Sequence, residues 1–91
     1  NAAVIISDAA SLGSIANVAA YNKQQVQAVI IQLKDVADFD RQLNASLLQN
    51  MPELKYVFFN CAMAANGSEL KKMLSGTYGN IVFLYSVNVP N

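Results

Sequence analysis

The sequence predicts an α/β domain: an open parallel sheet with alternating βαβαβαβ order, flavodoxin- or receiver-like, lacking the last strand–helix unit of that architecture. Three observations lead there. Four segments, Ala3–Ser7, Val26–Leu33, Lys55–Cys61 and Ile81–Val87, are runs of β-branched and aromatic residues. They recur at a spacing of roughly 25 to 28 residues, as βαβ units require. Their apolar residues are consecutive rather than alternating, which implies strands covered on both faces by helices.

Each element has its own signal. After the first strand, Leu12, Ile15, Ala16 and Ala19 fall at helical spacing, with Asp8 or Ser11 placed to accept from the first free amides. After Val26–Leu33, a second helix is predicted from Val36, Phe39, Leu43, Leu47 and Met51, opened by Asp35 or Asp38 and closed by Pro52. The third strand, Lys55–Cys61, leads through a turn of small and amide residues into a third helix bearing Leu70, Met73 and Leu74. Asn66 with Glu69 three residues later forms a variant of the capping box, and Gly76 stands where a left-handed C-cap is expected. Right-handed crossovers would then assemble the strands into an open sheet.

The regular spacing also fits a leucine-rich-repeat solenoid of the ribonuclease-inhibitor type, which likewise repeats a strand and a helix at this period. The stretch from Leu43 to Phe59, with Leu47, Leu54 and Val57 between, reads as one such repeat. A solenoid leaves one strand face exposed, and that face would here carry Ile5, Ile30 and Phe58. The greasy stripe, and the lack of capping repeats, count against it.

Composition narrows the function. The chain has 91 residues, 54% of them apolar and 13% charged, a balance opposite to that of disordered chains. Residues 1–91 read as a single domain; because the sequence starts at Asn1 rather than Met, it is expected to be a piece of a longer protein. Six basic and six acidic residues give zero formal net charge, which supplies no footprint for nucleic acid. The longest apolar runs are too short to cross a bilayer, and no signal peptide is visible, so no membrane insertion is expected. The lone Cys61 forms no internal disulfide and fits a reducing, cytoplasmic location.

In an open α/β sheet, chemistry sits beyond the carboxyl ends of the strands, where strand order reverses. The residues there would be Ser7, Asp8, Gln32, Asn60 and Ser86. One carboxylate among amides and hydroxyls is a poor metal site. With no His in the chain, a hydroxyl nucleophile has no imidazole base. Neither glycine-rich phosphate-loop pattern follows the first strand. Each candidate has a plain alternative: Asp8 as a helix cap, Cys61 as a small buried hydrophobe, and Tyr56, Phe58, Phe59, Phe83 and Tyr85 as core. Lys71 and Lys72 suit the solvated end of a helix. No enzymatic activity, cofactor or metal is expected.

In chain order, these strand ends resemble the receiver domains of bacterial response regulators. Strand one ends Ile5–Ile6–Ser7–Asp8; strand three reads Val57–Phe58–Phe59–Asn60–Cys61–Ala62–Met63 and leads into Gly67–Ser68–Glu69–Leu70; strand four ends Leu84–Tyr85–Ser86–Val87. The resemblance implies a receiver scaffold, yet Ser7 replaces the first acidic residue and Asn60 the phospho-accepting Asp. An amide forms no acyl phosphate. Ala64 replaces the turn proline, and the chain ends before the family's fifth strand and its Lys. The chain therefore resembles a degenerate, or pseudo-, receiver, similar to those at the front of localisation ATPases of tight-adherence pilus systems. On this reading it is a cytoplasmic signalling module of bacterial type that docks a protein partner or a second copy (a homodimer) without aspartyl phosphorylation. The contact is expected at residues 78–91 through Tyr78, Phe83 and Tyr85, where the missing fifth strand would leave apolar surface open. Resemblances to thioredoxin-like assembly factors and to STAS domains are the alternatives.

Overall fold

The computed structural model describes residues 3–14, 25–48, 51–76 and 78–89. Four of the β-branched runs become strands: β1 (Ala3–Asp8), β2 (Val26–Leu33), β4 (Tyr56–Cys61) and β6 (Val82–Val87). They form one parallel sheet in the order β1-β2-β4-β6. Two short strands, β3 (Leu43–Asn44) and β5 (Leu74–Ser75), make a separate parallel pair, Leu43 opposite Leu74 and Asn44 opposite Ser75.

The parallel sheet agrees with the expectation; its strand order and connections do not. A flavodoxin- or receiver-type sheet begins in its interior and reverses direction. Here β1 lies at the edge and every later strand of the sheet is added on the same side, so no reversal point exists among the described residues. The ladder Val4–Ala28–Tyr56–Val82 advances by 24, 28 and 26 residues, which makes a run of successive strand-and-turn units.

Among the described residues, the connections are mostly short turns instead of helices. Ala9–Ser14, Val36–Asp40 and Ala45–Leu48 are 3-10 turns, and the sole α-helix among the described residues, α1, spans Gly67–Lys71. The second predicted helix fails for a visible reason. Asp35 Oδ1 accepts from Ala37 N–H at 2.9 Å, and Asp38 Oδ2 accepts from Lys34 N–H at 2.7 Å, which closes a tight turn around the start. Beyond it, Leu43 N–H donates to Met73 C=O at 2.6 Å, committing that backbone to the β3–β5 pair. Val36, the first residue of the predicted apolar stripe, is exposed, and the buried residues that follow are Leu43, Leu48, Met51 and Leu54. Most of the first predicted helix, including Ile15, Ala16 and Ala19, lies outside the described residues. The Asn66–Glu69 capping box is present: Glu69 N–H donates to Asn66 Oδ1 at 3.0 Å and Asn66 N–H to Glu69 Oε1 at 3.2 Å. Gly76 has the expected positive φ, +96°, but it follows β5 instead of capping α1.

The sheet is covered on one face only. Ile5, Val29, Ile31, Leu33, Val57, Phe59 and Cys61 point inward and are buried beneath Leu12, Leu43, Leu48, Met51, Leu54, Leu70 and Met73. The opposite face is open: Ile5 is 7% exposed, whereas its neighbour Ile6 is 64% exposed. The consecutive apolar runs thus do not mean two covered faces. They mean one buried face and one apolar face left open or half-open; of the stripe Ile5, Ile30 and Phe58 expected on an exposed solenoid face, Ile30 and Phe58 lie on it, whereas Ile5 is buried and Ile6 stands in its place.

Candidate functional site

Parallel strands in register stack equivalent residues into rows about 4.8 Å apart. At the carboxyl ends of the strands, Asp8, Gln32, Asn60 and Ser86 form one such row on the open face. Three of the four strand-end candidates from the receiver resemblance, Asp8, Asn60 and Ser86, are therefore brought together. Ser7 is not: it is one residue out of phase, so it stands in the inward row with Ile31, Phe59 and Tyr85. Its hydroxyl donates to the Asp8 carbonyl at 3.1 Å.

The row is knitted by amides. Asn60 Nδ2 donates to Gln32 Oε1 at 3.1 Å, and Asn88 Nδ2 lies 3.4 Å from both Asn60 Oδ1 and Ser86 Oγ. Asp8 Oδ1 is paired with Lys34 Nζ at 3.4 Å. Both partners of that ion pair are at least half exposed, so it contributes at most about 1 kcal/mol. Gln32 stands at a strand end as expected, but the hydrogen bond it accepts from the Asn60 amide was not foreseen. Lys34 and Asn88 were missed as site residues altogether. Each stands just past the end of its strand, β2 or β6, where a residue returns to the open face, and that placement is the signal that could have found them.

Next to the polar row lies an apolar one, Ile6, Ile30, Phe58 and Leu84, and then Val4, Ala28, Tyr56 and Val82. Ile6, Leu84, Val4, Tyr56 and Val82 are among the exposed large hydrophobics of the chain. The face therefore offers aliphatic and aromatic surface beside a line of hydrogen-bonding amides. Within it, Ser86 Oγ lies 3.4 Å from the Asn88 amide nitrogen, and the Asp8 carboxylate is engaged by Lys34. Among the described residues no group of three His, Cys, Asp or Glu gathers to hold a metal ion. No described helix is long and apolar enough to cross a membrane.

Cys61 belongs to the inward face and is buried, with its thiol pushed above its ordinary pKa by burial and, to a lesser degree, by the charge of Glu69. The neutral thiol behaves as a small apolar side chain.

The residues expected at an interface near the end of the chain have distinct surroundings. Tyr78 is half-buried: its hydroxyl donates to the Leu43 carbonyl and accepts from Ser75 N–H at 3.2 Å, strapping the β3–β5 pair. Its ring meets Phe83 edge-on, centroids 5.0 Å apart. Phe83 faces inward, near-parallel to Phe59 with centroids 6.5 Å apart. Tyr85 occupies the same inward row as Phe59, yet it is 48% exposed where Phe59 is 2% exposed. Beneath β6 a hollow of about 180 Å³ opens between Phe59, Leu70, Leu74, Phe83 and Tyr85, with Lys71 on its rim. Comparison with protein-family models, with curated proteins and with solved structures returned no match.

Proposed function

We propose that this chain is a non-enzymatic protein-interaction module that docks a protein partner on the open face of its parallel sheet. The observation that carries the reading is the half-open apolar row Ile6–Ile30–Phe58–Leu84, exposed at Ile6 and Leu84 and half-buried between, running beside the polar row Asp8–Gln32–Asn60–Ser86. Contiguous exposed apolar surface rimmed by polar groups marks interaction sites. Hydrogen-bonded strands hold such a surface rigid, so little ordering cost is left for binding. The sequential units of 24, 28 and 26 residues favour a solenoid-type scaffold of leucine-rich-repeat character, in which each unit adds one strip to a binding face. A pseudo-receiver reading is disfavoured by the strand order, which sets β2 between Asp8 and Asn60, though it leads to the same kind of activity: constitutive docking with no phosphorylation step.

A photo-crosslinking residue tests the assignment. Placed at Phe58 or Leu84, it should capture a discrete protein from an extract of the source cells. Placed at Val36, which is as apolar and exposed but lies off the face, it should not. Ile6→Asp should abolish capture at position 58 while leaving thermal unfolding unchanged. Equal capture from positions 36 and 58 removes the reading.

A further inference from the structure

Gly67 is a glycine for which the fold has no need. Gly76 and Gly79 lie at positive φ, +96° and +62°, where a side chain strains the backbone. Gly67 does not, and a Cβ built on it meets nothing within 4 Å. It opens α1, although glycine is a poor helix former. What glycine supplies here is a backbone nitrogen with no side chain beside it, and the residue before it is an asparagine. Asn66–Gly67 is the only such pair in the sequence. The other described asparagines, Asn44, Asn60, Asn80 and Asn88, precede Ala45, Cys61, Ile81 and Val89.

We infer that Asn66–Gly67 is a self-modification site, where the Gly67 backbone nitrogen attacks Asn66 Cγ and the resulting succinimide opens to aspartate or isoaspartate at position 66, the second of which frees α1 from the core. The bond from Gly67 N to Asn66 Cγ forms, the Cγ–Nδ2 bond breaks, and Nδ2 leaves as ammonia with the Gly67 amide proton. Water then adds to either carbonyl of the ring, and nothing else is consumed. Asn66 is exposed, and Gly67, as the first residue of α1, has an N–H with no intrahelical acceptor. The capping box is the gate. Attack requires Asn66 ψ to leave 169° and the carboxamide to release Glu69 N–H, which it holds at 3.0 Å. A helix of five residues opens locally at little cost, so the gate slows the reaction without stopping it.

The two products differ in what they leave of α1. Aspartate at position 66 keeps the cap, because a carboxylate still accepts from Glu69 N–H and its charge suits a helix start. Isoaspartate carries the chain through Cγ and adds an atom to the backbone. It displaces both the carboxamide that caps α1 and the carbonyl that accepts from Leu70 N–H at 3.2 Å. Leu70, 5% exposed, anchors α1 in the core, so losing this turn uncovers core side chains.

This inference stands apart from docking at the open face. The 91-residue chain, held at mildly alkaline pH, should gain acid at position 66. The readouts are labelling by isoaspartyl methyltransferase and peptide mass mapping, in which Asn44, Asn60, Asn80 and Asn88 should stay amides. Conversion should run several times faster in denaturing urea, and faster than wild type in Glu69→Ala, which removes the acceptor of Asn66 N–H. Gly67→Ala should keep the wild-type urea midpoint and stop the conversion. The isoaspartate form, separated by chromatography, should unfold at lower urea than the unconverted chain, whereas Asn66→Asp should match wild type or exceed it. The inference is overturned if position 66 of the native chain converts no more than Asn44 or Asn80, or if urea does not speed conversion. It is equally overturned if Gly67→Ala converts at the wild-type rate or loses stability, or if the isoaspartate form keeps the unconverted midpoint.

Discussion

The Tyr78 hydroxyl is the most informative single group to remove. It donates to the Leu43 carbonyl and accepts from Ser75 N–H, so it ties together two segments about 30 residues apart, adding to the β3–β5 pair and the Gln42 Nε2 bond to the Lys72 carbonyl. Tyr78→Phe keeps the ring against Phe83 and deletes both bonds. At about 0.5–1.5 kcal/mol for each, the loss is about 1–3 kcal/mol, and water reaching the half-buried partners brings it towards the lower half of that range. With a urea m-value of about 1 kcal/mol/M for a chain of this size, the midpoint should fall by about 1–2 M. The hydroxyl also predicts a pH dependence. Burial raises the Tyr78 pKa above its ordinary value, outweighing the lowering by the Ser75 hydrogen bond. The unfolded state therefore loses this proton first. The stabilisation is complete below the ordinary tyrosine pKa of about 10 and is lost as pH rises through the higher folded value. Urea titrations of wild type and Tyr78→Phe between neutral and strongly alkaline pH should converge, because the two chains differ only in the Tyr78 hydroxyl. Equal midpoints at neutral pH, or parallel alkaline slopes, would refute the strap.

Three further outcomes are expected. Ile5→Ala should cost about 2–4 kcal/mol and Ile6→Ala less than about 1 kcal/mol in chemical denaturation; equal costs would mean the sheet is not open on one face. Gly76→Ala should lose at least about 1–2 kcal/mol, because φ is +96° and a Cβ there would lie 2.8 Å from the Ala45 Cβ; an unchanged thermal midpoint would contradict that geometry. Alkylation of Cys61 at neutral pH should be limited by unfolding, so its rate should track urea concentration as global stability does; rapid labelling of the native chain would show that the thiol is not buried.

The four strands of the main sheet were legible to within a residue because β-branched runs are a local property, and so was the start of α1 from its Asn66–Glu69 capping box; the second helix and the short strands β3 and β5 were not. Leu43, Leu48, Met51 and Leu54 are buried by distant contacts, and their spacing carries no trace of the backbone pairing at Leu43 and Met73 that rules out a helix. Facing was misjudged for a related reason. A run such as Tyr56–Val57–Phe58–Phe59 states that both sides are apolar, but whether the second side is covered depends on how much chain is left to cover it. Short turns lying beneath the inner face leave little. At the site, the common height of Asp8, Asn60 and Ser86 followed from their places at strand ends. Ser7 fell on the other face because adjacent residues of a strand point apart, and the part played by Asn88 depends on the register of β6 against β4.

The sequential strand order has a consequence for how the molecule comes apart and how it tolerates change in length. In the main sheet each strand pairs only with its immediate neighbours, and β4 lies between β2 and β6. Loss of order can therefore enter from an end and stop at any strand boundary, as in a row of stacked tiles. A doubly wound sheet, whose first strand lies in the middle, has no such partial states. By the same token, one strand-and-turn unit could be added to or removed from this chain while every remaining row kept its partners.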